Sequence, residues 1–177
     1  VDGAVADPAS GDAVQHDEES FRRLVEPHRD RLWGVCLAVT GNRQDAEDAL
    51  QECLIAVWRS LPRFRGDSSF STWAYRIAVN ASIALIRRRK ELTAELGELV
   101  DERPGFEDRL TERDRVRWAL AQLSDDRRAA LVLREYGELS YAEIAEHQGI
   151  GVQTVKSRIN RARADVRRLL EGDQRST

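Results

Sequence analysis

Apolar residues in this chain recur every three to four positions, and no segment alternates apolar with polar residues as a half-buried strand would. That single regularity predicts an all-α fold. The first stripe runs Phe21, Leu24, Val25, His28, Leu32, Val35, Val39, interrupted at most by Pro27, and ends at Gly41-Asn42. A second helix is expected from about Gln44 to Ser60, with Leu50, Cys53, Leu54, Val57 and Trp58 on one side; Leu61-Pro62 stops it. A third is expected from Ser69 to Lys90, with Phe70, Trp73, Ala74, Ile77, Ala78, Ala81 and Leu85 inward. The pattern then lapses over residues 91–106, which contain Gly97, Pro104 and Gly105, and resumes with Val116, Ala119, Leu120 and Leu123. The expected organisation is a disordered tail (1–17), a helical domain (18–90), a flexible acidic linker (91–106) and a second small helical domain (107–172).

Several function classes drop out early. No run approaches the roughly 18 apolar residues of a membrane span, and Val1 to Asp17 has no basic region leading into an apolar one. A cytoplasmic protein without membrane contact is expected. Cys36 and Cys53 fall on apolar stripes, as buried thiols do, and His16, His28 and His147 have no ligand spacing. There is no P-loop and no acid–base pair in a glycine-rich loop. No metal, no cofactor and no enzymatic activity are expected.

The net charge of −3 hides an ordered distribution. Residues 76–90 carry Arg76, Arg87, Arg88, Arg89 and Lys90 with no acid, and residues 151–168 carry six cations against Asp165. Between them, residues 91–114 hold nine acids against three arginines. Two basic segments around an acidic connector point to nucleic acid more than the mean charge does. Just ahead of the second, Ser140-Tyr141-Ala142-Glu143 has the form of a capping box. Gly149 stands where the chain must turn, at an expected positive φ. Val152, Val155, Ile159, Ala162 and Val166 give the next helix an inward stripe. A short capped helix, a glycine turn and a basic amphipathic helix make a helix-turn-helix; a plain helical hairpin with a solvated basic face shares the pattern. At 100° per residue, the outward side of the last helix carries Gln153, Ser157, Asn160, Arg161 and Ala164. Lys156 and Arg163 flank one edge, and Thr154 and Arg158 the other. Small and amide groups in the centre suit base edges, and the long cations suit phosphates.

Two surfaces stand out in the first domain. The second helix shows Asp45, Asp48, Glu52, Ile55 and Arg59 opposite Leu50 and Leu54, which reads either as a docking face for a basic partner or as a solvated face with one stray Ile. The third helix shows Arg76, Asn80 and Arg87 beside Trp73, entered from Phe64-Arg65-Gly66-Asp67-Ser68-Ser69-Phe70. Aromatic, amide and cationic groups together suit an unstacked base, although Phe70 and Trp73 also lie on the core stripe.

Residues 45–90, DAEDALQECLIAVWRSLPRFRGDSSFSTWAYRIAVNASIALIRRRK, followed by residues 123–163, LSDDRRAALVLREYGELSYAEIAEHQGIGVQTVKSRINRAR, closely resemble the extracytoplasmic-function (ECF) sigma factors of bacteria. The resemblance implies two domains, sigma regions 2 and 4, and a role in directing core RNA polymerase to promoters and opening DNA there. It implies that Asp45, Asp48, Gln51, Glu52 and Ile55 dock on the β′ clamp helices, with the β flap as a further polymerase contact. It implies that Phe64, Arg65, Asp67, Ser68, Phe70, Trp73, Arg76, Asn80 and Arg87 serve the −10 element and melting. Gln153, Thr154, Lys156, Ser157, Arg158, Asn160, Arg161 and Arg163 would serve the −35 element. An anti-sigma factor is a further implied partner. The stretch LSYAEIAEHQGIGVQTVKS also resembles LuxR-type regulators, but a stand-alone regulator would need a dimerisation or ligand module where residues 45–90 instead resemble region 2. The linker spans at most about 50 Å, enough to set the domains on DNA segments more than one turn, about 34 Å, apart.

Overall fold

The computed structural model describes residues 17–96 and 111–173. Every regular element among them is helical: α1 (Glu18–Val25), α2 (Arg29–Thr40), α3 (Arg43–Ser60), α4 (Phe70–Leu96), α5 (Glu112–Ala121), α6 (Asp125–Glu135), α7 (Tyr141–Gln148) and α8 (Val152–Asp173). Short 3-10 turns occupy Glu26–His28 and Leu61–Arg63. The expected tail, apart from Asp17, and most of the expected linker lie outside the described residues.

The helix ends have local causes. Asp17 caps α1 by accepting the Ser20 amide at 2.9 Å, which holds its carboxyl below the usual range. Pro27, without an amide hydrogen, sits in the 3-10 turn between α1 and α2. Gly41, at φ 82°, ends α2 in the left-handed region. Asn42 then caps α3, accepting the Asp45 amide at 2.9 Å and donating to Asp45 Oδ2 at 2.8 Å. The Ser69 hydroxyl accepts the Thr72 amide at 3.1 Å and starts α4. Ser124 stands at the N-cap of α6 without capping it; its hydroxyl accepts from Arg127 Nε instead. The expected boundary at Lys90 is also corrected, since α4 continues to Leu96. Glu91-Leu92-Thr93-Ala94-Glu95 contains no helix breaker, and the first glycine comes at 97.

In the first unit α2, α3 and α4 pack on one another around Leu32, Val35, Val39, Cys53, Val57 and Val79. Ala46, Ala49, Ala74 and Ala78 are buried on α3 and α4, and their short side chains let the two helices come close. Both cysteines are free and buried; burial pushes their thiols up to about 11 for Cys36 and about 12 for Cys53. In the second unit α8 packs on α5, α6 and α7 through Val155, Ile159 and Ala162, all fully buried. Val152 departs from the expected inward stripe: at the first turn of α8, 39 % of it is exposed.

The two units are docked rather than held apart. α2 lies against α5 and α6, and α4 lies against α6, so that one apolar core runs through both. Arg128 of α6 crosses the junction, only 4 % exposed. Its Nη1 donates to the Val39 carbonyl of α2 at 2.9 Å, and its Nη2 to the carbonyls of Ala121 (3.0 Å) and Leu123 (2.9 Å). Carbonyls at the end of α2 are the negative pole of that helix, which favours a cation there. Burial lowers the guanidinium's pKa from its ordinary value.

Two outcomes follow from this packing. Neither thiol should react with a soluble disulfide reagent at pH 8 in the native protein, and both should react in denaturant; fast native labelling of either would contradict the burial. Arg128→Leu should lower the denaturation midpoint by the equivalent of about 3 kcal/mol in urea, because stranded buried carbonyls cost roughly 1–3 kcal/mol each. A change below about 1 kcal/mol would mean that water reaches those carbonyls.

Candidate nucleic-acid and polymerase interfaces

The segment from Ser140 to the end of α8 has the expected helix-turn-helix geometry. The Glu143 amide donates to Ser140 Oγ at 3.2 Å, and the Ser140 amide to Glu143 Oε2 at 2.7 Å, closing the capping box. Burial pulls the Glu143 carboxyl up, but hydrogen bonds from Ser140 and Thr72 and the charge of Arg76 outweigh it and leave the group below its usual range. Gly149 adopts φ 63° with open space around its Cα hydrogens, so only the backbone conformation demands glycine there. The outward face of α8 then presents Gln153, Thr154, Lys156, Asn160 and Arg161 to solvent, with Ser157 half-buried among them. Arg158 is less free: it donates to Gln148 Oε1 at 2.9 Å and pairs with Asp126 at 3.2 Å. Arg163 is exposed but held by Glu135 across to α6. The central pair Asn160–Arg161 is thus presented openly, while two of the flanking cations are already oriented by acids or amides.

The sequence reading missed a cation cluster beside this face. Tyr141, the first residue of α7, has the Arg134 guanidinium 4.9 Å and the Lys156 ammonium 5.8 Å from its ring centroid. Arg134 also donates to the Leu139 carbonyl at 2.7 Å, closing the turn that leads into α7. A tyrosine at helix position N1 followed by a lysine fifteen residues on carried no visible signal.

On the first unit, loop 64–70 and the start of α4 come together around three rings. Phe64 lies 4.9 Å from Trp73 and 6.1 Å from Phe70, and Phe70 lies 5.8 Å from Trp73, centroid to centroid. Phe70 is 1 % exposed, so it forms the floor of this cluster and offers no face to a base, which corrects its place among the contact residues. Phe64 and Trp73 are half-buried and remain available, as do the exposed Arg65, Asp67 and Asn80 and the half-buried Ser68. Gly66, at φ 74°, makes the loop's sharp bend. Arg76 and Arg87 lie on the expected side of α4, but both point into the second unit. Arg76 donates to the Glu143 carbonyl and pairs with Glu146, each at 2.9 Å, and Arg87 pairs with Asp125 at 3.0 Å.

The α3 face divides. Ile55 is 51 % exposed, one of three large apolar side chains so placed among the described residues, and Asp48 and Gln51 are exposed beside it. Asp45 is buried: it pairs with Arg89 and is tied to the Asn42 cap, so it cannot belong to a docking surface. Its position at the third residue of α3 predicts that capping role. Asp48 and Glu52 also face cations of α4, at 3.5 Å from Arg89 and 2.5 Å from Arg88. The acidic face is therefore partly neutralised from within.

Comparison with known proteins places these surfaces in a family. Residues 24–91 match the family model Sigma-70 region 2, and residues 113–166 match Sigma-70, region 4. The RNA polymerase sigma-H factor of Pseudomonas aeruginosa is 36 % identical over 170 residues, covering 88 % of this chain and 88 % of the relative. The ECF RNA polymerase sigma factor SigW of Bacillus subtilis is 32 % identical over 169 residues, covering 87 % and 90 %. Among solved structures, CnrH in complex with the cytosolic domain of CnrY aligns with a TM-score of 0.67 at 28 % identity, over 91 % of this chain and 94 % of that one. The sigma factor RpoE in complex with the anti-sigma factor NepR from Bartonella quintana shares the fold, with a TM-score of 0.73 at 24 % identity over 86 % and 98 %. A region 2 unit, a region 4 helix-turn-helix and relatives matched across both make this chain a member of the ECF RNA polymerase sigma factors.

Proposed function

We propose that this sigma factor reads the −35 element through the outward face of α8 and holds the −10 element with loop 64–70 and α4, while docking on core polymerase through α3. Sigma factors bind core RNA polymerase and promoter DNA and catalyse no reaction themselves. The observation that supports the −35 reading best is the exposed Asn160–Arg161 pair, centred on a helix that a capping box and Gly149 fix in place. Arg161 can pair in a bidentate way with guanine, and Asn160 with adenine. Lys156, Arg158 and Arg163 stand where phosphates would pass, with Gln153, Thr154 and Ser157 toward the start of the helix. For the −10 element, Phe64 and Trp73 supply faces for stacking, and Asn80 supplies a donor and an acceptor for an extruded base. Docking on the β′ clamp helices falls to Ile55, Asp48, Gln51 and Glu52. For the β flap, a groove of about 690 Å³ between α5, α6 and α8, lined by apolar residues such as Leu120, Leu131 and Leu170 and by the charged Glu135, Arg163, Arg167 and Glu171, suits an amphipathic segment. No described helix is long and apolar enough to cross a membrane; the chain acts in the cytoplasm beside polymerase, and an anti-sigma factor restrains it, as the pairing of RpoE with NepR suggests. Family matches in both units favour this reading over a stand-alone LuxR-like regulator.

Replacing Arg161 with Ala should cost on the order of 1–3 kcal/mol and relax preference at one −35 position. Arg163→Ala should weaken all sequences about equally and flatten the salt dependence. A promoter-variant library transcribed with core polymerase separates the two; a reversal of the two patterns would mean that α8 is rotated otherwise in the groove. Asn80→Ala should slow open-complex formation several-fold on duplex templates and far less on templates with a pre-melted bubble. Equal defects on both would assign Asn80 to structure alone.

A further inference from the structure

Between α2 and α5 the shared core leaves a cavity of about 380 Å³. Small-molecule sites usually occupy roughly 300–1,000 Å³, so this one suits a small ligand. Its walls are apolar and come from both units. Gly34, Leu37 and Ala38 of α2 form one side, and Val116 of α5 with Tyr136 at the end of α6 forms the other. Gly34 lies inside α2, where glycine is less favourable than alanine. Its φ is not in the left-handed region, and a Cβ built on it would meet only Tyr136 Cδ1, at 4.0 Å, an ordinary contact distance. Neither backbone conformation nor packing therefore demands glycine at this position; what the missing side chain does is keep one end of the cavity open. The mouth is charged and unbalanced. Arg113 and Arg117 line it against the single acid Glu112. Arg117 pairs with Asp114 at 2.5 Å, whereas the exposed Arg113 has no ion pair among the described residues.

We propose that this cleft is a binding site for a small amphiphilic monocarboxylate, an organic anion with one charge and an apolar body. The body lies between Gly34, Leu37 and Ala38 on one side and Val116 on the other, with Tyr136 closing the end. The carboxylate stays at the mouth, where Arg113 donates two parallel N–H bonds to it. A cation gains nothing from that guanidinium. An anion charged along its length, such as a nucleotide, would bury charge against Leu37 and Val116, which is costly. Because the walls belong to both units, the ligand binds only while α2 and α5 lie side by side, and its occupancy stabilises that arrangement by mass action. Val116 and Tyr136 also border the groove between α5, α6 and α8, so the two cavities share a wall. The remaining lining residues stand apart from those assigned to DNA and polymerase.

The test titrates the full chain, labelled with nitrogen-15, with 4-phenylbutyrate and separately with its neutral amide at pH 7. The acid should shift the backbone amide resonances of Gly34, Leu37 and Arg113 saturably. Its dissociation constant should be on the order of 0.1–1 mM, as a ligand of about a dozen heavy atoms allows. The neutral amide should bind about fivefold more weakly, because it lacks the charge-assisted pair with Arg113. Gly34→Leu fills the cleft and should weaken the acid about tenfold. Arg113→Gln alters only an exposed side chain, so it keeps the fold even if Gly34→Leu does not, and it should bring acid and amide to equal affinity. Resonances of Leu131 and Leu170, in the neighbouring groove, should move least. Four results would each overturn the proposal: shifts that do not saturate, shifts largest at Leu131 and Leu170, equal binding of acid and amide by the parent, or a preference for the acid that survives in Arg113→Gln.

Discussion

The junction between the two units turns on one buried guanidinium. Arg128 donates to three backbone carbonyls, one at the end of α5, one in the turn that follows it and one at the end of α2, and so joins helices that belong to different domains. Helix ends leave carbonyls without partners, and an end buried without an answer is costly. Here a single side chain answers two of them together. Once Arg128 is seated, α6 must lie along α2 and α4, and α7 must lie over the start of α4. The apolar core then runs through both domains as a consequence of that seating. The junction is thus polar and apolar at once: the seated guanidinium joins the helix ends, and the shared apolar core packs around it.

Much of the fold was legible in the sequence because helices announce themselves locally. Periodicity locates α2, α3, α5 and α8, and Gly41, Pro62, Ser140 and Gly149 mark ends whose cause lies within a few residues. The expected end at Lys90 rests on the lapse of the apolar pattern after it, yet nothing in Glu91 to Glu95 breaks a helix. What stayed hidden was long-range. Arg128 sits on the inward stripe of α6, four residues before Val132, and an arginine on an otherwise apolar stripe is the one mark that could have betrayed it.

The candidate site was legible in its members more than in their state. Asn160 and Arg161 emerged exposed on α8, as helical geometry requires. Asp45 did not reach the α3 surface, because a residue three positions after an N-cap belongs to the cap before it belongs to the face. Phe70 closes the core although its neighbours Phe64 and Trp73 remain partly open, a distinction decided by packing depth, which spacing along a helix does not carry. The arginines of α4 lie on the expected side, but the identity of what they touch depends on the other domain.

The continuity of α4 has a mechanical consequence. Its 27 residues form a rod about 40 Å long, with the aromatic cluster at one end and the departure of the connecting chain at the other. In the reading proposed above, the rod sets both the distance and the azimuth between the −10 surface and the point where the chain leaves for region 4. One residue more or fewer in the last turns of α4 would rotate the exit by about 100°. In that reading, the spacing of the two promoter elements is gauged in part by the length of this helix.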